Sequence, residues 1–423
     1  MTNCSWRAVG LRFRKRRPER GEHAMQRAVL AVAALLCGAV PARPSPRGAY
    51  GDRATLDPEV HMNISEIIRH WGYPAEEHQV VTEDGYILTL NRIPTGRRSG
   101  QSPTGAVFLQ HGLLAAGSNW VTNPPASGLG FALADAGYDV WLGNSRGNTW
   151  SRKHRTLTPR QEEFWSFSHD EMALLDLPAV VDYILKATGQ EGIFYIGHSQ
   201  GTTIGFVAFS QLPRLAAKIK LFVALAPVAT VSFARSPMSK LAVLPEFLFW
   251  DLFGRRDFLP QSHMIEWFAE HVCDRRPLDH LCANIFFVLC GFDELNLNAS
   301  RTAVYTTHCP AGTSVQNMLH WAQAVTGGHL SAFDFGTAGN VKHYNQTTPP
   351  RYNVGDVRVP TAIFSGGRDT LADPKDVALL LMQLPNVVFR QEIPHWDHLD
   401  FIWGLDAPKL MFPTILKLMQ QYR

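Results

Sequence analysis

Ile193-Phe-Tyr-Ile-Gly-His-Ser-Gln-Gly-Thr-Thr-Ile-Gly205 combines an apolar run, a serine between glycines and the beginning of a helix-compatible run. It begins with four apolar residues that favour a short buried strand, and a helix-compatible run follows over residues 202–212. Between the two, Gly197-His-Ser-Gln-Gly201 matches the pattern G-x-S-x-G. A serine at such a sharp turn exposes its hydroxyl, and the flanking glycines let the helix and the strand pack closely. The stretch therefore predicts Ser199 as a nucleophile, with a glycine-rich loop as the alternative interpretation.

Strands and helices alternate on both sides of this turn. The predicted strands lie at residues 77–81, 86–93, 106–109, 138–142, 193–196, 219–224, 361–364 and 387–393. The predicted helices lie at residues 170–186, 202–212, 374–383 and from 408 onward, and a further helical stretch ends at 136. The first two strands form a hairpin by their turn chemistry. Strands separated by helices are typical of α/β proteins, so we predict a mostly parallel sheet with helices on both faces.

The alternation stops between residues 231 and 335, which we interpret as a helical cap or lid between two parts of the core, 43–230 and 336–423. Large apolar side chains are concentrated in this segment: Leu241, Leu244, Phe247, Phe249, Trp250, Phe253, Trp267, Phe268, Phe286 and Phe287. Most of them would be ordinary core residues. The concentration over 241–253 also predicts a face that shields the serine in water and opens on lipid.

Composition and charge exclude several classes of protein. The chain has 423 residues, 45% of them hydrophobic and 18% charged, which is typical of a globular protein rather than a disordered, collagen-like or coiled-coil one. Residues 1–42 hold eight Lys or Arg against two Glu, whereas the rest holds 32 basic against 35 acidic residues. The part of the chain after residue 42 is therefore mildly acidic, which argues against nucleic acid as a partner, because binding to nucleic acid needs a basic face.

The first 42 residues are typical of a targeting segment. Residues 28–40 are small or apolar, preceded by Arg27 and followed by Pro41 and Ala42, a stretch too short to span a bilayer as a helix. We interpret the segment as a secretory signal cleaved after Ala42, with no transmembrane segment once it is removed. Met25 would begin a conventional signal, so we expect translation to start there. The alternative is an N-terminal anchor that stays attached.

Cysteines and glycosylation sequons agree with export. Four cysteines follow the signal within one short window: Cys273, Cys282, Cys290 and Cys309. The first two are close enough to close a small disulfide loop, although sequence alone leaves the pairing open. Sequons predict N-glycosylation at Asn63, Asn298 and Asn345. Paired C-x-x-C spacing is missing, so we expect no zinc site, and we predict no metal or other cofactor.

A serine hydroxyl needs a base to take its proton and an acid to orient that base. Both follow strands in the second half of the chain: Asp369 comes after the strand at 361–364 and His398 after the strand at 387–393. Asp373 and His395 are the competitors. Asp373 directly precedes a proline, where a helix N-cap is the simpler interpretation. His395 lies closer to its strand, so the choice of base stays open at this point.

The oxyanion of an acyl transfer needs two backbone N–H donors. The residue after the nucleophile, Gln200, supplies one, and the turn after the strand at 106–109 supplies the other. We assign the second donor to Leu113. His111 in the same turn could act as a further base, but we expect it to make a structural hydrogen bond.

The chain resembles the acid lipase family, whose members have the α/β-hydrolase fold. The matching stretches are Asn63-Ile-Ser-Glu-Ile-Ile68, Glu83-Asp-Gly-Tyr-Ile-Leu88, Leu109-Gln-His-Gly-Leu-Leu114, residues 135–154, residues 197–205, Ala311-Gly-Thr-Ser-Val-Gln-Asn-Met318 and residues 398–408. The likeness runs from about Arg53 to the C-terminus and is strongest to the lysosomal member of the family. The long basic leader and the small number of sequons depart from the family's pattern.

The resemblance implies Ser199 as nucleophile, Asp369 as acid and His398 as base, with Leu113 and Gln200 forming the oxyanion hole. It also implies a disulfide between Cys273 and Cys282, and a free Cys290. The implied activity is a Ser-His-Asp hydrolysis of cholesteryl esters and triacylglycerols at a lipid interface, in the lysosome after passage through the secretory pathway. The alternatives are a secreted or epidermal-type acylglycerol lipase and an acyltransferase of the same family. Sequence leaves the oligomeric state open.

Overall fold

A computed structural model describes residues 57–97, 103–261 and 296–423. The strands within these ranges are β1 Glu76–Val81, β2 Tyr86–Ile93, β3 Ala106–Gln110, β4 Asp139–Leu142, β5 Lys153–His154, β6 Ile193–His198, β7 Ile219–Leu225, β8 Asp257–Phe258, β9 Thr313–Ser314, β10 Thr361–Gly366 and β11 Val387–Ile393. The predicted signal segment and the predicted cysteine pair Cys273 and Cys282, together with Cys290, lie outside the described residues.

Helices cover both faces of the sheet. The α-helices are α1 Ile64–His70, α2 Leu129–Asp135, α3 His169–Glu171, α4 Leu177–Thr188, α5 Gln200–Gln211, α6 Pro213–Ala216, α7 Glu246–Phe253, α8 Thr302–His308, α9 Val315–Gly327, α10 Gly336–Tyr344, α11 Pro374–Gln383, α12 Asp400–Trp403, α13 Ala407–Leu410 and α14 Phe412–Gln421. A π-helical turn, Met172–Asp176, joins α3 to α4. The 3₁₀ helices are Pro58–His61, Gly117–Trp120, Glu162–Trp165, Pro237–Val243, Ala299–Arg301 and Val354–Asp356. Within the described ranges, no helix combines the length and the apolar character needed to cross a membrane.

The sheet has the order β1-β2-β4-β3-β6-β7-β10-β11, with β5 paired to β2. From β4 to β11 all neighbours are parallel, whereas β1 and β2 form the antiparallel hairpin and β2 runs antiparallel to β4. Every residue of β3, β4, β6 and β10 is buried, as expected for strands covered on both faces. The prediction of an α/β fold with a mostly parallel sheet is confirmed.

The segment predicted as a cap forms a second apolar cluster beside the main core. Its buried members are Leu241, Phe249, Phe253, Phe258, Val315, Met318, Leu319, Ala322 and Phe333. The described part is mostly helical, but β8 and β9 form a two-stranded antiparallel ribbon that the sequence analysis did not predict. Each of these strands has two residues, too few for a periodic pattern.

Not all of residues 231–335 belongs with this cluster. Tyr305 on α8 stacks on Trp403 with ring centroids 4.3 Å apart, and both side chains belong to the main core. Directly before α8, the buried Arg301 forms two hydrogen bonds of 2.7 Å with the carboxylate of Glu59, which is also buried. This buried ion pair fastens the beginning of α8 to the described N-terminal part of the core.

Arg301→Leu should lower the free energy of unfolding by about 3 to 5 kcal/mol, because it leaves the Glu59 carboxylate buried without its countercharge. The matched control is Lys218→Met. Lys218 pairs with Asp182 at the surface, where both side chains are at least a third exposed, and its loss should cost less than about 1 kcal/mol. Urea unfolding of both variants measures the difference. Equal losses in the two variants would show that the buried ion pair of Arg301 stabilises the protein no more than the exposed pair of Lys218 does.

Candidate active site

Ser199 lies at the turn between β6 and α5 with φ 55° and ψ −124°, a backbone conformation that side-chain-bearing residues rarely adopt. Glycines on either side make the turn possible. A Cβ atom at Gly197 would lie 2.6 Å from the carbonyl oxygen of Gly201, and one at Gly201 would lie 2.3 Å from the carbonyl oxygen of Gln110. The predicted reason for these two glycines, close approach of strand and helix, is confirmed.

His398 and Asp369 lie next to the serine in one hydrogen-bonded chain. The Nε2 atom of His398 is 2.7 Å from the Ser199 hydroxyl, and its Nδ1 atom is 2.8 Å from a carboxylate oxygen of Asp369. The other oxygen of Asp369 accepts from the backbone N–H groups of Leu371 and Ala372 at 2.9 and 2.8 Å. Both Asp369 and His398 are buried. With Nδ1–H donating to the carboxylate, Nε2 is left as the acceptor for the serine proton.

The two competing residues lie elsewhere. His395 is half-exposed and pairs with Asp406 at 2.9 Å. Asp373 is the N-cap of α11, where its side chain accepts from the backbone N–H of Lys375 at 2.9 Å. The N-cap interpretation of Asp373 is confirmed, and the geometry around Ser199 includes His398 rather than His395.

The turn after β3 passes directly over the serine. A Cβ atom at Gly112 would lie 2.9 Å from the Cβ of Ser199 and 3.3 Å from its Oγ, so a side chain there would displace the nucleophile. Leu113 follows in this turn. Gln200 is the first residue of α5, and the first N–H groups of a helix have no acceptor within the helix. The two residues predicted to supply the oxyanion donors, Leu113 and Gln200, therefore each directly follow a residue of this close contact, Gly112 or Ser199.

His111 has the structural role that the sequence analysis expected. Its Nδ1 atom is 2.8 Å from the carbonyl oxygen of Gly112, and its Nε2 atom accepts from the backbone N–H of Ser145 at 3.0 Å. Burial lowers the pKa of His111 to about 4. A neutral imidazole thus joins the turn after β3 to the turn after β4.

His198, the residue before the serine, has a structural role that was not predicted from the sequence. Its Nε2–H donates to the backbone carbonyl of His398 at 2.9 Å. Burial, with a smaller contribution from the nearby His398, lowers the pKa of His198 to about 3, so its ring stays neutral in acid. The pattern G-x-S-x-G leaves this position unspecified, and the contact spans 200 positions of sequence, so no local signal could have identified it.

Within the described parts of the chain, one group of three residues could hold a metal ion. It comprises His169, Asp170 and His320, whose ligand atoms all lie within 4.8 Å of one another. The arrangement fits a metal poorly. Both oxygens of Asp170 already accept hydrogen bonds, from the backbone N–H of Phe333 and the hydroxyl of Tyr352, and the two imidazoles stack in parallel at 3.8 Å. We interpret the group as a buried polar contact between α3 of the core and α9 of the cap.

The predicted glycosylation sites differ in exposure. Asn345 is exposed at the C-terminal end of α10. Asn63 and Asn298 are partly buried, and their side-chain oxygens accept from the backbone N–H groups of Glu66 and Ser300. Cys309 is a free thiol, 3.6 Å from the carbonyl oxygen of Leu114.

Comparisons with known proteins show the family of the chain. The alpha/beta hydrolase fold family matches residues 105–405, and the partial alpha/beta-hydrolase lipase region matches residues 64–124. The human lysosomal acid lipase/cholesteryl ester hydrolase is 61% identical over 89% of this chain and 95% of its own length. Human gastric triacylglycerol lipase is 54% identical over 88% and 95%. A solved structure from Sulfolobus solfataricus has the same fold, with a TM-score of 0.54 at 15% identity over 82% of this chain and 99% of its own.

Asp170→Asn should change how stability depends on pH. Burial raises the pKa of Asp170 from 3.8 to about 6, so the folded protein takes up a proton that the unfolded chain takes up only at lower pH. The stabilisation from this proton is complete below about pH 4 and is lost as the pH rises through about 6. On lowering the pH from 7 to 4, the difference in free energy of unfolding should therefore shift in favour of the wild type. Urea unfolding at several pH values measures it, and a constant or opposite difference would contradict the assignment.

Proposed function

The chain belongs to the acid lipase family of α/β hydrolases, and we propose that it hydrolyses cholesteryl esters and triacylglycerols through an acyl-enzyme formed on Ser199. It is a lipid ester hydrolase by family. The observation that supports this mechanism for this chain is the unbroken hydrogen-bonded path from Ser199 through His398 to Asp369, at 2.7 and 2.8 Å. The names of the related lysosomal and gastric lipases support the two substrate classes.

In the first step the Ser199 oxygen attacks the acyl carbonyl carbon while Nε2 of His398 takes the serine proton. The imidazolium that forms is stabilised by the buried Asp369 carboxylate. The carbonyl oxygen becomes an oxyanion and accepts from the N–H groups of Leu113 and Gln200, each donor of this kind contributing about 10² to 10³ in rate. The carbon–oxygen bond to the alcohol then breaks, and His398 returns the proton to the departing sterol or glyceride.

In the second step water replaces the alcohol. His398 takes a proton from the water as it attacks the acyl carbon, and the same two amides hold the second oxyanion. The bond from the acyl carbon to the Ser199 oxygen then breaks, His398 returns the proton to that oxygen, and the fatty acid is released. Throughout both steps, the neutral His198 holds the backbone of His398 in place through its 2.9 Å hydrogen bond.

The apolar side chains of the cap support the proposal that the substrate is a lipid. The cap's inward side chains Phe249 and Phe253 lie in the cap cluster, against which Leu113 and Leu114 of the oxyanion turn also pack. Its outward side chains are apolar as well, with Val243 80% and Phe247 70% exposed. Exposed apolar patches rimmed by polar residues mark surfaces that meet another apolar phase. We therefore propose that residues 241–253 shield the site on one side and contact the lipid surface on the other.

We further propose that the protein acts in the lysosome after passing through the secretory pathway. The names of the related lysosomal enzymes support this location, and the exposed Asn345 offers an accessible sequon. The leader that would direct export lies outside the described residues.

Asp369→Asn should lower kcat on emulsified cholesteryl oleate and triolein by about 10⁴, because the neutral amide no longer holds the tautomer of His398 that accepts the serine proton. His395→Gln is the matched control and should stay within about threefold of the wild type. Rates of fatty acid release measure both, and addition of a competing alcohol separates hydrolysis from acyl transfer. Full turnover by Asp369→Asn, or transfer that outruns hydrolysis, would overturn the proposal.

Phe247→Asp should lower turnover of emulsified triolein about tenfold and leave a short soluble ester within twofold, since it adds charge to the surface proposed to meet lipid. Met382→Asp is the control: Met382 is 75% exposed on α11, outside the cap. It should leave both substrates unaffected. Equal losses on the two substrates, or equal effects of the two variants, would argue against the proposed lipid contact.

A further inference from the structure

The side chain of Gln200 is buried and has hydrogen-bond partners of its own, separate from the backbone N–H proposed to bind the oxyanion. Its amide oxygen accepts two hydrogen bonds, from Nδ2 of Asn317 at 2.9 Å and from Nε1 of Trp321 at 2.7 Å. Its amide nitrogen donates to the sulfur of Met172 at 3.5 Å. An amide oxygen has two lone pairs, so both acceptor positions are filled and the orientation of the side chain is fixed.

Both donors to the oxygen belong to α9, a helix of the cap. Asn317 and Trp321 are four residues apart, which places them on one face of the helix. Asn317 is itself held in place: its backbone N–H donates to the Ser314 hydroxyl at 2.9 Å, and its Nδ2 also donates to the Thr313 hydroxyl at 3.1 Å. The side chain of Gln200, the residue after the nucleophile, is therefore held by α9, which lies more than a hundred positions away in sequence.

The anchoring of the Gln200 side chain matters for the reaction because an N–H group stabilises an oxyanion only from a defined position. Donors must lie about 2.7 to 3.1 Å from the place where the oxyanion forms, and a displacement of a fraction of an ångström weakens them. Gln200 is the first residue of α5, where the backbone N–H is not fixed by a hydrogen bond within the helix. An anchored side chain on this residue restrains the first turn of α5.

We propose that Asn317 and Trp321 are positioning residues for the oxyanion hole: by holding the Gln200 side chain they keep the Gln200 N–H directed at the developing oxyanion. The cap thereby forms part of the catalytic apparatus. This inference rests on the proposed function, since it concerns the oxyanion of the ester hydrolysis on Ser199.

The test compares Trp321→Phe with Trp165→Phe on a short soluble ester. The first variant keeps an aromatic ring and loses the N–H group that donates to the Gln200 side chain. The second makes the same change in the main core, where the Trp165 N–H donates to the backbone carbonyl oxygen of Pro159 at 2.9 Å. Trp321→Phe should lower kcat about tenfold with KM within twofold, because the oxyanion forms only in the transition state. Trp165→Phe should leave both constants unchanged.

A cycle with Gln200→Met separates positioning from general support of the fold. Methionine lacks the amide oxygen, so Trp321→Phe added to Gln200→Met should change kcat by less than twofold. A further tenfold loss in that background would overturn the proposal, as would equal kcat for Trp321→Phe and Trp165→Phe. If Trp321→Phe fails to fold, Asn317→Ser takes its place in the same cycle. A wild-type protein that does not cleave the ester would instead contradict the proposed function.

Discussion

The active site depends on the backbone of a single residue, Ser199, which is held at φ 55° and ψ −124°. A conformation of this kind costs about 1 to 3 kcal/mol and persists only where the surroundings enforce it. Here the enforcing contacts are close approaches at glycine positions, where a side chain would not fit. Gly201 lies against the carbonyl oxygen of Gln110, and Gly112 lies against Ser199 itself. The Ser199 hydroxyl therefore faces His398, and the next residue, Gln200, is the first residue of α5.

The cap contacts both halves of the proposed oxyanion hole. On one side, the carbonyl oxygen of Leu114 accepts from the backbone N–H of Ala311 at 2.7 Å. On the other side, Asn317 and Trp321 hold the side chain of Gln200. Leu113 and Leu114 also pack against the cap cluster. The described part of the predicted cap is therefore hydrogen-bonded to both turns from which the proposed oxyanion donors come.

The elements that sequence analysis could predict are those with a local signal. The bounds of α11 at Pro374–Gln383 and of β11 at Val387–Ile393 match the predicted ranges, because each carries a run of the right length between turn residues. Ser199 and Asp369 could be assigned because each follows a strand, and parallel strands bring their carboxyl ends to one edge. The same argument left His395 and His398 open as the base, and the family resemblance implied His398. The catalytic roles of these residues remain predictions.

The features that escaped prediction are contacts between distant parts of the chain. His198 reaches the backbone of His398 across 200 positions, and Gln200 reaches α9 across more than a hundred. The packing of Tyr305 against Trp403 likewise places part of the predicted cap on the core, which no hydrophobic pattern within the segment could indicate. Such partners are set by tertiary packing, and residue type alone does not specify them.

Rapid acid quenching of the wild-type enzyme during turnover of a short-chain ester, followed by mass spectrometry of its peptides, tests whether the acyl-enzyme forms on Ser199. The acyl mass is expected on the peptide that contains Ser199, forming and decaying at rates that match turnover. Acyl mass on a different residue, or acylated Ser199 that persists while turnover continues, would contradict the proposed mechanism.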